Sequence, residues 1–472
     1  MPSLPVPFLL VLSSWPGHAS VQDPPPATGS EIAGGDIEAH VRFLASDELR
    51  GRDTGSKELN RAARYLAECL RSGGVEPAGD GDGFLQAVPL VREVRETPPA
   101  MTLVDPDGVE EVVEYGADFT LLGGGVGATE SLHVVVVRTE ADVPAEPDPQ
   151  AALYVASRYA RGLDLLEAAG CESGVGFGAL VFPGSSRPGR SRFRPGVGRL
   201  RLAPPSEGSA PPRVRVNGDL RARFESGRIA SLTLHPNVRL DPVETYNVIG
   251  RVAGKGPDVI VFSAHYDHIG SGEAPPEGVE RDVIRNGADD DASGTACVVE
   301  LARAFARGPR PAHTLLFLLA TGEEKGLLGT HHYLDHPPVP LERTLCNLNF
   351  EMIGRPDPEA GGAGRMWLTG HERTNLYEAF TAAGIPIGPD ARPEQNFFQR
   401  SDNFAFALRG IVAQTLSTYN LHADYHQVTD EADLLDYAHM EACVRAAYGA
   451  SRLLADGKVA PEWNEGMNPA RR

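Results

Sequence analysis

The chain has 472 residues, of which 41% are hydrophobic and 23% are charged, and its formal net charge at pH 7 is −20. This length predicts two or three domains, and the composition is that of a globular protein with a sizeable core. A strongly acidic surface repels nucleic acid and anionic lipid, which argues against a nucleic-acid-binding protein. The five cysteines show no CxxC spacing. A disulfide scaffold and a zinc finger are therefore excluded, although a single disulfide stays open.

The first 20 residues resemble a secretory signal peptide. An apolar run from Phe8 to Leu12 precedes Gly17-His18-Ala19, a stretch suited to cleavage. No Lys or Arg precedes Arg42, so the usual basic region is missing, and a misassigned start ahead of an unstructured tail is the alternative. No other apolar stretch is long enough to predict a membrane-spanning helix. We therefore predict a secreted, periplasmic or cell-envelope protein, with residues 21–35 as a linker.

Two helices are predicted after the linker. Ile37, Val41, Phe43 and Leu44 are predicted to share one helical face, and residues 58–72 form an amphipathic segment that ends at Gly73. The middle of the chain, residues 96–239, is instead rich in short β-type runs such as 132–137 and 152–156, with one helix at 163–169. Within it, residues 184–213 are rich in Ser, Arg, Pro and Gly and predict a surface loop. We interpret this region as a separate inserted domain.

Buried apolar strands alternate with helices in the last part of the chain. The predicted strands are 259–263, 314–320, 345–350, 366–369 and 411–416, and the predicted helices are 293–307, 326–334 and 437–454. This alternation predicts an α/β fold, a three-layer sandwich with a mixed, largely parallel central sheet, to which the β-rich insert is added. Residues 457–472 are predicted to be a polar tail.

Histidine and carboxylate side chains follow the carboxyl ends of these strands, where open α/β sheets place their sites. The candidates are His265, Asp267, Asp289, Glu323, Glu324, Glu351 and His426. Each alone is more often a solvated acid, a helix cap or a structural histidine. Together they supply two imidazoles and several carboxylates, which suits two divalent ions joined by a carboxylate such as Asp289. Asp267 can accept the second imidazole N–H of His265. The side chains of the adjacent Glu323 and Glu324 diverge, so one can bind metal while the other stays free as a base.

The same residues lie in motifs that resemble those of the M28 family of co-catalytic zinc peptidases. In chain order these motifs are AHYDH, GADDDASG, TGEEKGLLGT, NFEMIG and DYHQ. The segments FLASDELRGRDTGS and TYNVIGRVAGKG resemble further parts of that family. The resemblance covers residues 36–95 and 240–456, which it implies form the peptidase domain. The insert resembles a protease-associated domain through AAGCESGVGFGALVF.

The resemblance implies a metal-dependent exopeptidase that removes residues from peptides with a free N-terminus, using a water activated by two Zn²⁺ ions. It implies that Asp289 bridges the ions, that His265 and Glu351 complete one site, and that Glu324 and His426 complete the other. Glu323 becomes the general base. It also implies a cis peptide between Asp289 and Asp290.

Two departures from the family pattern bear on the substrate. Position 351 is Glu where many relatives have Asp, and a segment that usually ends in His here ends in Asn403. The resemblance implies a substrate pocket lined by Arg400, Ser401, Asp402, Asn403 and Tyr425.

The same residues and motifs bear on other possible functions. A carboxypeptidase or dipeptidase fits the fold equally, whereas a single-zinc glutaminyl cyclase needs fewer ligands than the five predicted. A non-catalytic, receptor-like binding protein predicts lost ligands, and none is lost. No GxSxG and no HExxH motif occurs, which argues against a serine hydrolase and a zincin.

Overall fold

The structure is a computed structural model that describes residues 31–123, 127–171, 177–184, 198, 200–203, 211–276 and 278–471. The α-helices in these ranges are α1 (Gly34–Leu44), α2 (Lys57–Ser72), α3 (Tyr159–Ala168), α4 (Gly218–Glu225), α5 (Gly294–Arg307), α6 (Leu328–Asp335), α7 (Leu376–Ala382), α8 (Asn403–Leu408) and α9 (Tyr437–Ala455). The strands are β1 (Glu76–Pro77), β2 (Leu85–Ala87), β3 (Leu90–Val94), β4 (Ala100–Val104), β5 (Glu110–Val113), β6 (Phe119–Gly123), β7 (Thr129–Val137), β8 (Ala151–Val155), β9 (Ala179–Pro183), β10 (Leu200–Leu202), β11 (Arg213–Val216), β12 (Ser231–His235), β13 (Arg239–Val243), β14 (Tyr246–Val252), β15 (Val259–His265), β16 (Thr314–Ala320), β17 (Thr344–Glu351), β18 (Met366–Leu368), β19 (Ile387–Pro389) and β20 (Val412–Ser417).

The largest sheet has nine strands in the order β1-β14-β16-β15-β17-β20-β18-β19, with β2 also paired to β14. Its four central strands, β16, β15, β17 and β20, run parallel, and antiparallel pairs flank them. Parallel strands of this kind are buried on both faces, which explains their uninterrupted apolar sequences. The mixed, largely parallel sheet predicted from the sequence is confirmed.

Helices cover both faces of this sheet. Side chains alternate along β15, so that Ile260 and Phe262 pack into the core that contains buried residues of α1, α2, α5 and α9. Val259 and Val261 point the other way and pack with apolar residues of α6 and α8. The result is the predicted sandwich of helices, sheet and helices.

The insert forms a second sheet of eight strands in the order β5-β4-β12-β7-β8-β9-β11-β6. All eight lie between residues 100 and 235, inside the predicted insert. A third sheet, β10-β3-β13, lies where the chain leaves the large sheet and returns to it. The prediction of a surface loop over residues 184–213 is wrong at β10, because Leu200 to Leu202 pair with β3.

Both ends of the described chain pack against the large sheet and its helices. Ile32 lies in the predicted linker but is buried, and its carbonyl accepts a hydrogen bond of 2.9 Å from Arg445 in α9. In the predicted polar tail, Trp463 packs against the core, and its indole N–H donates to the carbonyl of Gly410 at 2.9 Å. The predicted signal peptide lies outside the described residues, and export stays a prediction.

All five cysteines are described, and none of them forms a disulfide. Among the described residues, no helix combines the length and apolar character that crossing a lipid bilayer requires.

Candidate metal centre

The predicted ligands converge at the carboxyl edge of the four parallel strands. His265 is the last residue of β15 and Glu351 the last of β17, while Glu324 follows β16 closely and His426 lies in the loop after β20. Because these strands are neighbours, the side chains that leave their ends meet at one place. They form two groups of potential ligands, one of three residues and one of four. The members that are farthest apart in the sequence, His265 and His426, are separated by 161 positions.

The two groups share one residue, Asp290. The first group is His265, Asp290 and Glu351, and the second is His268, Asp290, Glu324 and His426. One carboxylate oxygen of Asp290 lies 3.3 Å from His265 Nε2, and the other lies 3.1 Å from His426 Nε2. Each oxygen therefore faces a different group, as a carboxylate that joins two cations must.

Several ligand atoms in these groups are buried without a hydrogen-bond partner among the described residues. They are Nε2 of His265 and His426, both ring nitrogens of His268, Oε1 of Glu324 and Oε2 of Glu351. His268 Nδ1 lies 2.8 Å from Glu324 Oε1, yet the approach is not along a hydrogen-bond direction. Buried polar atoms normally have partners. Imidazole nitrogens and carboxylate oxygens that converge in this way fit Zn²⁺.

Asp289, predicted as the bridging residue, lies outside both groups. Its Oδ1 accepts hydrogen bonds from the backbone N–H of Gly354 at 2.7 Å and from the Ser293 hydroxyl at 3.2 Å. Its Oδ2 lies 3.1 Å from His422 Nε2. Asp289 thus ties the loop after β17 to the aspartate turn, and the residue common to both groups is its neighbour Asp290. The predicted cis peptide is displaced in the same way, since it joins Asp290 to Asp291.

The turn that carries Asp290 is fixed by its neighbours. Gly287 begins it with a φ of 58°, and a Cβ there would lie 2.3 Å from the carbonyl oxygen of Asp290. Asp291 Oδ1 accepts the backbone N–H groups of Gly294 and Met352, both at 3.0 Å, which joins the turn to the end of β17. Buried Asp430 accepts the backbone N–H of Asp290 at 3.2 Å. These contacts fix the backbone of the turn on both sides of Asp290, and they thereby set the position of its carboxylate.

His268 is a member of the second group that the sequence analysis overlooked. It lies three residues after His265 in the AHYDH motif, and the second His of that motif was the available signal. Its backbone N–H donates to the carbonyl of Arg52 at 3.1 Å, and its Nδ1 lies 2.8 Å from Glu324 Oε1.

Asp267 contacts both His265 and the turn of Glu323, but not as predicted. The Nδ1 of His265 lies 3.2 Å from the backbone carbonyl of Asp267 and 3.8 Å from its carboxylate. The carboxylate accepts instead from the Glu323 backbone N–H at 3.1 Å and from the Thr54 hydroxyl at 2.7 Å. A carbonyl at Nδ1 fixes the tautomer in which Nε2 is free to bind metal. Asp267 therefore positions both the imidazole and the Glu323 backbone.

Buried charges are crowded at this edge of the sheet. Burial raises the pKa of Glu323 well above its usual range, and the nearby Glu351 and Asp402 add to that effect. Burial also raises the pKa of Glu351, to about 7. Burial would lower the pKa of His426, but Asp290 and Glu324 outweigh it and raise that pKa to about 10. So many carboxylates cannot all be ionised in a buried site without cations, which is the electrostatic condition that divalent metal ions satisfy.

Arg52 stabilises the backbone next to the candidate centre and donates no hydrogen bond to the ligand atoms. Its side chain is fully buried, and its guanidinium donates to the carbonyls of Tyr266 at 2.9 Å, Asn286 at 2.6 Å and Gly287 at 2.9 Å, and also to that of Leu44. These carbonyls belong to the end of α1, the residue after β15 and the start of the aspartate turn. One planar group therefore fixes three segments that meet beneath the metal centre.

A cavity adjoins the first group beside Glu351. Arg400, Ser401 and Tyr425, three of the five residues predicted to line a substrate pocket, line this cavity. Asp402 and Asn403 lie behind the cavity: Asp402 accepts from the Thr330 hydroxyl at 2.6 Å, and Asn403 donates to the carbonyl of Phe398 at 3.0 Å.

This chain is similar to several known proteins, in sequence over part of its length or in structure. Aminopeptidase YwaD of Bacillus subtilis (strain 168) is 34% identical over 138 residues, which are 29% of this chain and 27% of that protein. A probable zinc metalloprotease of Pyricularia oryzae is 46% identical over 91 residues, which are 19% of this chain and 17% of that protein. An aminopeptidase from Aneurinibacillus sp. strain AM-1, a solved structure, has a TM-score of 0.48 and 18% identity, and the match covers 94% of this chain and 97% of that one. The chain spans about a quarter of the length of the curated relatives it matches first.

A sequence profile described as "Peptidase family M28" matches residues 247–450. The matched range includes both groups of potential ligands, from His265 to His426, together with Glu323. That range is less than half of the chain, and over it the chain is similar to peptidase family M28.

Proposed function

We propose that this protein is a zinc-dependent exopeptidase that hydrolyses the N-terminal bond of peptides with a free amino group. The observation that carries the proposal is the Asp290 carboxylate, whose two oxygens face two separate groups of histidine and carboxylate ligands. The match of residues 247–450 to the M28 profile supports the same reaction class.

Two zinc ions are the proposed cofactor. His265, Asp290 and Glu351 would bind one ion. Asp290, Glu324 and His426 would bind the other, and His268 is the fourth member of that second group. Zinc bound there supplies a Lewis acid for the scissile carbonyl and lowers the pKa of the attacking water.

Glu323 is the proposed general base. Its carboxylate lies 4.0 Å from His265 Nε2 and belongs to neither ligand group. The backbone contact between Glu323 and Asp267 fixes the turn from which this side chain extends. From this position the carboxylate accepts a proton from the attacking water and donates it to the amine that leaves.

The cavity beside Glu351 supports cleavage at the end of a peptide. A substrate side chain would enter this cavity next to the candidate metal centre, while the carboxylates at that centre would attract a free ammonium group. A peptide bound in this way presents its first peptide bond to the centre.

A panel of aminoacyl-nitroanilides with free and acetylated N-termini tests the proposal. We expect hydrolysis of the free substrates only, loss of activity with 1,10-phenanthroline, recovery with Zn²⁺, and about two zinc ions per chain by mass spectrometry. Hydrolysis of the acetylated substrates alone, or full activity in chelator, would contradict the proposal.

Replacing Glu323 by Gln separates proton transfer from metal binding. Because Gln keeps the shape of Glu but cannot accept a proton, we expect kcat to fall by at least about a hundredfold while the zinc content stays unchanged. Glu342→Gln is the matched control, since Glu342 is exposed before the amino end of β17, far from the centre. A Glu323→Gln enzyme with near-normal kcat would show that another group is the base.

We also propose the domain division indicated by the sequence. The peptidase unit comprises residues 36–95 and 240–456, and residues 96–239 form a protease-associated type of insert. The separate core of the eight-stranded sheet supports this division.

A further inference from the structure

The cavity beside Glu351 has an aromatic wall that continues to the metal centre. The ring of Trp367 lies 5.1 Å from that of Phe397, Phe397 lies 5.8 Å from Tyr419, and Tyr419 lies 5.2 Å from Tyr425. Tyr425 in turn stacks on His426 at 3.9 Å. Rings that contact one another in a chain have little freedom to move, so the wall is a preformed surface.

Arg400 is the cation that lines this cavity. Its guanidinium lies 5.1 Å from the centre of the Phe397 ring, and among the described residues no carboxylate pairs with it. Burial raises the pKa of Tyr419, and the positive charge of Arg400 acts in the opposite direction. The guanidinium of Arg400 therefore supplies a positive charge at the cavity, although its side chain is exposed.

A second donor lines the same cavity. Trp367 is only 2% exposed, and its indole Nε1 is buried with no acceptor among the described residues. A buried N–H without a partner is costly, and a bound ligand that supplies an acceptor removes the cost. The polar side chains of Thr369, Thr415 and Ser417 also line the cavity.

We propose that this cavity binds a carboxylate of the substrate, with Arg400 as the residue that selects it. A carboxylate offers acceptors to both the guanidinium and the indole N–H, whereas a purely apolar side chain leaves the buried indole N–H unpaired. The inference rests on the proposed function, because it assigns the substrate class of the same site.

Two sources supply such a carboxylate. One is an acidic side chain on the first residue of a peptide, and the other is the free C-terminus of a dipeptide. The shared chemistry is a carboxylate close to the scissile bond, and the substrates below separate the two sources.

The test compares kcat/KM for Glu-Ala-amide, Gln-Ala-amide, Leu-Ala-amide and Leu-Ala, with wild-type holoenzyme and with Arg400→Gln. We expect the wild type to prefer a carboxylate by about tenfold, either Glu-Ala-amide over Gln-Ala-amide or Leu-Ala over Leu-Ala-amide. The preference should fall to about onefold in Arg400→Gln, because the variant lacks the positive charge. Which pair shows the preference identifies the source.

Arg343→Gln is the control, since Arg343 is exposed before the amino end of β17. It should keep the tenfold ratio. Hydrolysis of Leu-Ala-amide without any carboxylate preference overturns this inference and leaves the proposed function intact. A failure to hydrolyse any of the four peptides in the presence of zinc overturns both, and a preference that persists in Arg400→Gln overturns the role of Arg400.

Discussion

Replacing Asp290 by Asn is expected to reduce the bound zinc from about two ions to at most one per chain and to lower kcat/KM at least about a hundredfold. A carboxamide has one acceptor oxygen and no negative charge, so it cannot bind two cations at once. Both oxygens of Asp290 face ligand groups in the structure, and both contacts are therefore affected. Mass spectrometry of the metal content and hydrolysis of an aminoacyl-nitroanilide measure the two effects.

Asp289→Asn is the matched control, with the same chemical change one residue earlier. The Oδ1 of Asn can still accept the hydrogen bonds that Asp289 receives from Gly354 and Ser293. We expect this variant to retain both ions. If Asp289→Asn lost zinc and Asp290→Asn kept it, the bridging position would belong to Asp289.

Replacing Arg52 by Lys is expected to lower the free energy of unfolding by about 3–5 kcal/mol, a large fraction of the stability of a typical domain. The guanidinium donates to four buried carbonyls in different directions, and an ammonium group cannot reach all of them. Each carbonyl left without a donor costs about 1–3 kcal/mol. Urea denaturation followed by circular dichroism measures the change.

Arg50→Lys provides the comparison, since Arg50 lies two residues away, is exposed and also has a positive φ. A surface substitution of this kind should change the free energy of unfolding by no more than about 0.5 kcal/mol. Equal effects of the two substitutions would mean that the buried hydrogen bonds of Arg52 contribute little.

The central strands were the part of the fold most open to prediction. The sequence predicts a strand over residues 314–320, and β16 occupies the same residues. It predicts 345–350, and β17 adds one residue at each end. Strands buried on both faces have apolar sequences bounded by polar ones, so their limits are visible locally. The pairing of β10 with β3 joins residues more than a hundred positions apart, and no local pattern indicates it.

The ends of the predicted strands indicated where the candidate centre lies. The errors in predicting its residues arose, like the missed pairing of β10, from contacts between residues that are distant in sequence. Asp289, Asp290 and Asp291 are identical residues in one turn, and the backbone path decides which carboxylate faces the histidines. That path depends on contacts with Asp430 and Met352, which are distant in sequence. His268 was overlooked for the same reason, because its neighbour Glu324 lies on another strand end.

The insert leaves and rejoins the large sheet through one antiparallel ladder, in which Val94 pairs with Arg239 and Leu90 with Val243. The backbone therefore spans the same short gap whatever the length of the chain between these positions. Homologous proteins can lengthen, shorten or exchange this segment over evolution without moving any strand that carries a metal ligand.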